Sequence, residues 1–156
     1  IFAALLNIVL MSQGALTRFQ NRAEIVQNGR VAIERVSREL RQADALVTTL
    51  PSFEIKFQDG HDDTTLNYIR YYLQGDALYR ELSYYSFPSA PSTHVRFNDT
   101  DQNGAFPPIT IIENEIAAEY ISALQFSGTP DLSIKMTLQK GTTQSSFGTI
   151  IYARNL

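Results

Sequence analysis

The chain has 156 residues, of which 44% are hydrophobic and 19% charged, with 13 basic and 16 acidic side chains for a net charge of −3. That length suits one domain with a core of its own, and the composition is neither disordered nor of low complexity. The lack of cysteine excludes a disulfide scaffold, a thiolate zinc site and a cysteine nucleophile, and the acidic balance is a poor match to bulk phosphate binding.

Residues 1–16, IFAALLNIVLMSQGAL, are strongly apolar and uncharged. The run is too short to cross a bilayer, for which about 20 apolar residues are needed. It also has neither the basic start nor the small-residue cleavage site of a signal peptide. The chain begins with Ile, and the expectation is a cut or processed terminus with more of a hydrophobic helix upstream. An apolar assembly surface formed by Ile1, Phe2, Leu5, Leu6, Ile8, Val9 and Leu10 is one reading; a buried core helix is the other.

No helix breaker separates this run from the charged segment after it. Gly14 and Gly29 are the only glycines before residue 60, and the first proline is Pro51. Phe19, Val26, Ile33, Leu40 and Val47 recur every seven residues, with Ala23, Gly29, Val36 and Ala43 beside them, which predicts an amphipathic continuation of the helix to residue 47. Residues 17–44 carry six arginines and four acids, while everything after residue 44 carries seven basic and twelve acidic residues. The arginines read either as an ordinary solvated face or as a helix docking between acidic neighbours. Arg30–Glu34, Glu34–Arg38 and Arg35–Glu39 have the i,i+4 spacing that supports a helix. One helix over 1–47 would be about 65 Å long and would project from a small domain.

From residue 48 to 156 the pattern is that of antiparallel sheet. Phe53–Phe57 alternates after Pro51. Leu66–Leu73 and Ala77–Tyr85 flank Gln74-Gly75-Asp76 as a hairpin. Ile109–Ile112 and Ile121–Phe126 are further strands. Leu132, Ile134, Met136 and Leu138 alternate with polar residues as a half-buried strand, and Phe147–Arg154 pairs back after Gly141. Ser86–Pro108, rich in Pro, Ser, Asn and Asp, is loop. The expected fold class is α+β: a long N-terminal helix, hydrophobic in front (1–16) and amphipathic behind (17–47), packed on an antiparallel β-sheet head (48–156).

Chemistry is sparse. Asp99-Thr100-Asp101-Gln102-Asn103-Gly104 has the opening of a calcium-binding loop, with oxygen side chains at positions one, three and five and glycine at six. Ala105 would offer its backbone carbonyl, and Glu113 or Glu115 would close the loop. Thr110 stands where an EF-hand needs a bidentate glutamate, and Pro107-Pro108 forbids a following helix. A calcium (Ca2+) site and a plain Asn-Gly turn therefore both stay open. His61-Asp62-Asp63 reads as a surface loop, and His61 and His94 lack metal-binding spacing. Six tyrosines, Tyr68, Tyr71, Tyr72, Tyr79, Tyr84 and Tyr85, fall within eighteen residues, as sheet packing or as a contact patch. No paired catalytic groups, nucleophile elbow or phosphate loop occur, so an enzyme is not expected.

The hydrophobic helix running into Gln20–Leu46 resembles the N-terminal region of type IV pilins and type II secretion pseudopilins. Asn28-Gly29-Arg30, Ala32-Ile33-Glu34-Arg35 and Ser37-Arg38-Glu39-Leu40 are especially similar to J-type minor pseudopilins and W-type minor pilins. Tyr71-Tyr72-Leu73, Ala77-Leu78-Tyr79-Arg80-Glu81, Ile121-Ser122-Ala123-Leu124-Gln125-Phe126 and Tyr152-Ala153-Arg154-Asn155-Leu156 fit the same group. The prepilin-peptidase motif of that family, Gly-Phe-Thr-Leu-Ile-Glu, does not occur in this sequence, as a cut terminus would explain. The resemblance implies a filament subunit: a minor pseudopilin at or near the tip of a type II secretion pseudopilus, or else a minor pilin of a type IV pilus, or a tip adhesin or cargo-binding module. It implies partnership with other pilins or pseudopilins through a helix bundle, residence in the bacterial inner membrane before assembly, and then a periplasmic or extracellular filament. Nucleic acid is not an expected partner.

Overall fold

A computed structural model of the chain describes residues 2–61, 65–128 and 131–152, with side chains from Met11 onward. Its first element is one uninterrupted helix, α1 (Phe2–Arg41), of 40 residues, about 60 Å at 1.5 Å per residue. Arg38 and Arg41 lie in its last turn, where cations suit the exposed carbonyls of a helix C-terminus. The end tightens: Gln42 N–H donates to Glu39 O at 3.1 Å and Ala43 N–H to Leu40 O at 3.3 Å, the i→i+3 pattern of a terminal turn. The helix stops at Arg41 rather than at 47 because the next residues are claimed by a sheet. Ala45–Leu46 forms the short strand β1, opposite Gln58 and Phe57.

Seven strands follow: β2 (Ile55–Gln58), β3 (Tyr68–Gln74), β4 (Ala77–Tyr85), β5 (Ile109–Ala118), β6 (Ile121–Ser127), β7 (Asp131–Lys140) and β8 (Thr143–Tyr152). They make two antiparallel sheets, β1-β2-β3-β4-β5 and β6-β7-β8, where the sequence pattern suggested one. An isolated bridge between Ser52 and Phe126 ties the segment before β2 to β6, with N–H···O distances of 3.0 and 2.8 Å. The β3–β4 hairpin turns through Gly75-Asp76, with Gly75 at φ 64°, a left-handed conformation that glycine adopts without strain. β2 begins at Ile55, later than the alternation suggested, and Phe53 is exposed. β5 runs six residues further than Ile112. Its pairing with β4 is shifted between Leu78 and Tyr79 and between Leu82 and Ser83, and such bulges disturb the strict alternation that marks a strand in sequence.

Both sheets and the helix share one core. Ile25, Ala32, Val36 and Leu40 of α1 meet Ile55, Phe57, Ile69, Tyr71 and Leu78 of the first sheet and Leu132, Ile134, Met136, Leu138 and Ile151 of the second. The buried helix face corrects the expected stripe. Leu40 is fully buried, Val26, Ile33 and Val47 are only half-buried, and Phe19 is 76% exposed. A strict seven-residue repeat drifts about 20° per heptad on a straight helix, so it cannot stay against one surface. The contact line runs instead through Ile25, Gly29, Ala32, Val36 and Leu40, all buried, at spacings of four and three. It passes through small residues because β8 comes close: a Cβ built on Gly29 would run into the Phe147 ring.

Candidate functional site

The helix has two regimes. From Ile25 to Leu40 its inner face is covered by the head, whereas every residue from Met11 to Gln20 is exposed. Met11 (78% exposed), Leu16 and Phe19 leave large apolar surface in solvent. Backbone residues 2–10 continue the helix beyond them. The expected assembly residues Phe2, Leu5, Leu6, Ile8, Val9 and Leu10 thus lie on that helix, with side chains outside the described residues, and Ile1 lies outside them altogether. Among the described residues no helix is long and apolar enough to cross a membrane.

What fixes the covered half is an ionic clamp in addition to apolar packing. Glu39, in the last turn of α1, accepts from the Tyr71 hydroxyl at 2.8 Å and from Arg80 Nε at 3.1 Å to each carboxylate oxygen. Arg80 Nη1 also reaches Glu113 at 3.3 Å, while Arg35 bridges Glu115 and lies 3.7 Å from Glu39. The clamp therefore joins α1 to β3, β4 and β5. The Glu39 and Arg80 side chains are 11% and 10% exposed, so each would be a costly buried charge without the other. Burial alone would lower the affinity of Arg80 for its proton; the Glu39 carboxylate overcomes that and holds the guanidinium above its ordinary value. Burial pushes the Tyr71 phenol far up, and the negative Glu39 beside it adds to the shift. Tyr71 is thus a committed hydrogen-bond donor rather than a titrating group. At the other end of the covered stretch, Lys140 of β7 donates to Glu24 and, at 3.0 Å, to the Tyr120 hydroxyl.

The helix arginines divide accordingly. Of the three expected i,i+4 pairs, Arg35–Glu39 closes, and neither Arg30–Glu34 nor Glu34–Arg38 comes within ion-pair distance among the described residues. Arg35 docks against Glu39 and Glu115, as the acidic-neighbour reading has it. Arg18, Arg22, Arg30, Arg38 and Arg41 stay on the exposed surface, as a solvated face has it.

The acidic loop is organised as a turn. Asp101 Oδ1 accepts from Asn103 N–H at 2.8 Å and Ala105 N–H at 2.9 Å. These amides, that of Ala105 first, hold its carboxyl below the usual carboxylate range. The Ala105 carbonyl accepts from Asp101 N–H, and Gly104 takes φ 81°. Asp99 caps Arg96 N–H at 2.8 Å. Glu113 is in β5, engaged with Arg80. Among the described residues no three His, Cys, Asp or Glu side chains gather as a metal would require. Of the suggested calcium ligands, Asp101 is thus engaged with backbone amides and Glu113 with Arg80.

The tyrosines serve several separate contacts. Tyr72 stacks on Tyr79 with centroids 5.6 Å apart, and Arg70 lies over the Tyr72 ring. Tyr68 meets Tyr85 and Phe97 edge-on, and Tyr84 stacks on His94. Lys56 donates to the Tyr85 hydroxyl at 2.6 Å. His61 contacts Asp59 on the surface, and Asp62 and Asp63 lie outside the described residues.

The clamp residues Glu39, Tyr71 and Arg80, and the Gly29–Phe147 approach, went unrecognised as a working unit in the sequence. Arg80-Glu81 in mid-strand was the available signal, since adjacent charges inside an otherwise apolar strand require partners. Comparison with protein-family models, with curated proteins and with solved structures finds no match to this chain.

Proposed function

We propose that this protein is a structural subunit of a pilin-type filament, of the minor pseudopilin kind, which assembles through its N-terminal helix. The observation that carries the reading is the division of α1. Its covered half is fixed to the head by burial and by the Glu39–Arg80 clamp, while Met11–Gln20 project uncovered with Met11, Leu16 and Phe19 bare. Exposed apolar surface continuous with a hydrophobic helix calls for other helices or lipid. A rigidly attached head then makes the projecting half a lever with a fixed orientation. The pilin-like layout of helix on antiparallel sheet and the motifs along Gln20–Leu46 support the same reading. The type II secretion pseudopilus is the preferred setting and a type IV pilus the alternative, with the inner membrane holding the helix before assembly.

The chain has no cysteine, which makes single-cysteine crosslinking a clean test. Met11→Cys, Leu16→Cys and Phe19→Cys, produced in cells with the neighbouring gene products, give disulfide or bismaleimide adducts to pilin-like subunits carrying cysteines at matching helix positions. Gln139→Cys, exposed on the head, gives none. Adducts from the head position alone, or from no helix position, would refute helix-mediated assembly.

A further inference from the structure

We propose that the outer edge of β5 is a docking site for an extended, basic strand of a partner chain, which would add to the five-stranded sheet. This inference is independent of the filament reading, because it rests on the head alone. β5 ends that sheet, and its ten residues, Ile109–Ala118, form the longest of its strands, whereas the opposite edge, β1, has only two. Natural sheets blunt long edges with charged side chains, especially lysine, with proline, with bulges or with a covering element, and of these β5 has two bulges against β4 and the glutamates Glu113 and Glu115. The β5 sequence ITIIENEIAA contains neither lysine nor proline, and among the described residues no backbone group on its outward side has a protein partner. Ile109, Ile111, Ile112 and Ile116 are 43–53% exposed along it, a concentration of apolar surface that solitary strands rarely leave open.

Charge selects the occupant. Arg35 and Arg80 are two cations, and Glu39, Glu113 and Glu115 around them are three carboxylates, so the cluster carries one net negative charge. Its surplus sits at the edge, where the Glu113 and Glu115 side chains are 49% and 37% exposed against 11% for Glu39. A second copy pairing antiparallel about Asn114 would set Glu113 of each copy directly opposite Glu115 of the other, and like charges directly opposite are destabilising. A strand alternating apolar residues with lysine or arginine meets the isoleucines and the surplus carboxylate together. The two glutamates thus admit one class of strand and reject self-pairing.

The test uses the whole chain in detergent and three synthetic peptides of the length of β5. One alternates valine and threonine with two central lysines, the second carries glutamates in place of the lysines, and the third has proline at the centre of the lysine peptide. The lysine peptide is expected to bind about tenfold or more tighter than either control, a difference of about 1.4 kcal/mol or more, and to slow amide hydrogen exchange across Ile109–Ala118. Ile112→Lys, a change at an exposed side chain, is expected to abolish that binding without altering the exchange of α1. Equal binding of the three peptides, protection elsewhere on the head, or β5 protection in the chain alone together with dimers in sedimentation would each overturn the proposal. The last result would make a second copy the occupant.

Discussion

Replacing Glu39 with glutamine removes one charge from the clamp while nearly preserving its shape. In the native chain Arg80 Nε donates to both oxygens of Glu39 at 3.1 Å, and the Tyr71 hydroxyl donates at 2.8 Å. After the change Arg80 keeps only Glu113, at 3.3 Å and half exposed, as a carboxylate partner. Removing one member of a buried ion pair costs about 3–5 kcal/mol. The glutamine carbonyl still accepts one hydrogen bond, so about 3 kcal/mol, the lower end, is expected. At about 2–4 °C per kcal/mol for a chain of this size, Glu39→Gln lowers Tm by about 6–12 °C. Thermal and urea denaturation followed by circular dichroism read this directly, with Glu34→Gln, on the exposed face, as the control at under about 0.5 kcal/mol. The Tyr71 phenol adds an independent readout through the pH dependence of stability. Its folded value is raised, chiefly by burial and further by Glu39. The stability from the neutral phenol is therefore fully present below about pH 10 and is lost as pH rises above it. Equal stability losses at Glu39 and Glu34 would refute the clamp.

Leu40→Ala, at a fully buried position, costs about 2–5 kcal/mol by cavity formation, while Arg38→Ala costs under about 0.5 kcal/mol; equal effects in urea melts would mean that the helix sits on the head by a different face. Ser37 Oγ is buried with no hydrogen-bond partner among the described residues. Ser37→Ala therefore stabilises the chain by about 1 kcal/mol, measured as a higher urea midpoint with unchanged slope. Asp101 has a lowered folded value, so its contribution is present above about pH 4 and is lost as pH falls through that folded value. Asp101→Ala lowers Tm at neutral pH equally with and without calcium if the carboxylate is a turn cap, and a loss confined to the calcium sample would support the ion-ligand reading.

The elements read most clearly in the sequence are those whose periodicity is undisturbed. The alternation from Leu132 to Leu138 predicted β7, and Gly75 marked the β3–β4 turn. The run without helix breakers predicted a single helix, although to residue 47 rather than Arg41. What could not be read was the helix phase, because Gly29 and Ala32 are chosen for close approach to β8 and contribute little hydropathy. The seven-residue series through Phe19 and Val26 was the louder signal and tracked the wrong face. The division into two sheets was hidden as well. It depends on β5 and β6 separating at Glu119-Tyr120, where Tyr120 takes φ 65°, a conformation uncommon enough in a bulky residue that sequence gives no warning. The contact of Glu113 with Arg80 was hidden too, because it follows from strand register and not from spacing along the chain. The clamp was partly legible, since Arg35–Glu39 had the right spacing, but its other members are brought together by sheet register alone.

A chain beginning at Asn21 tests the central division of the helix most directly, because it discards the projecting half and keeps every clamp residue together with Glu24 and Ile25. Sedimentation and circular dichroism of this shortened chain, without detergent, are predicted to show a folded monomer with the cooperative melt of the head, whereas the whole chain associates or requires detergent. A shortened chain that unfolds or aggregates would contradict the account, since Met11–Gln20 would then belong to the core of the head rather than to an assembly surface.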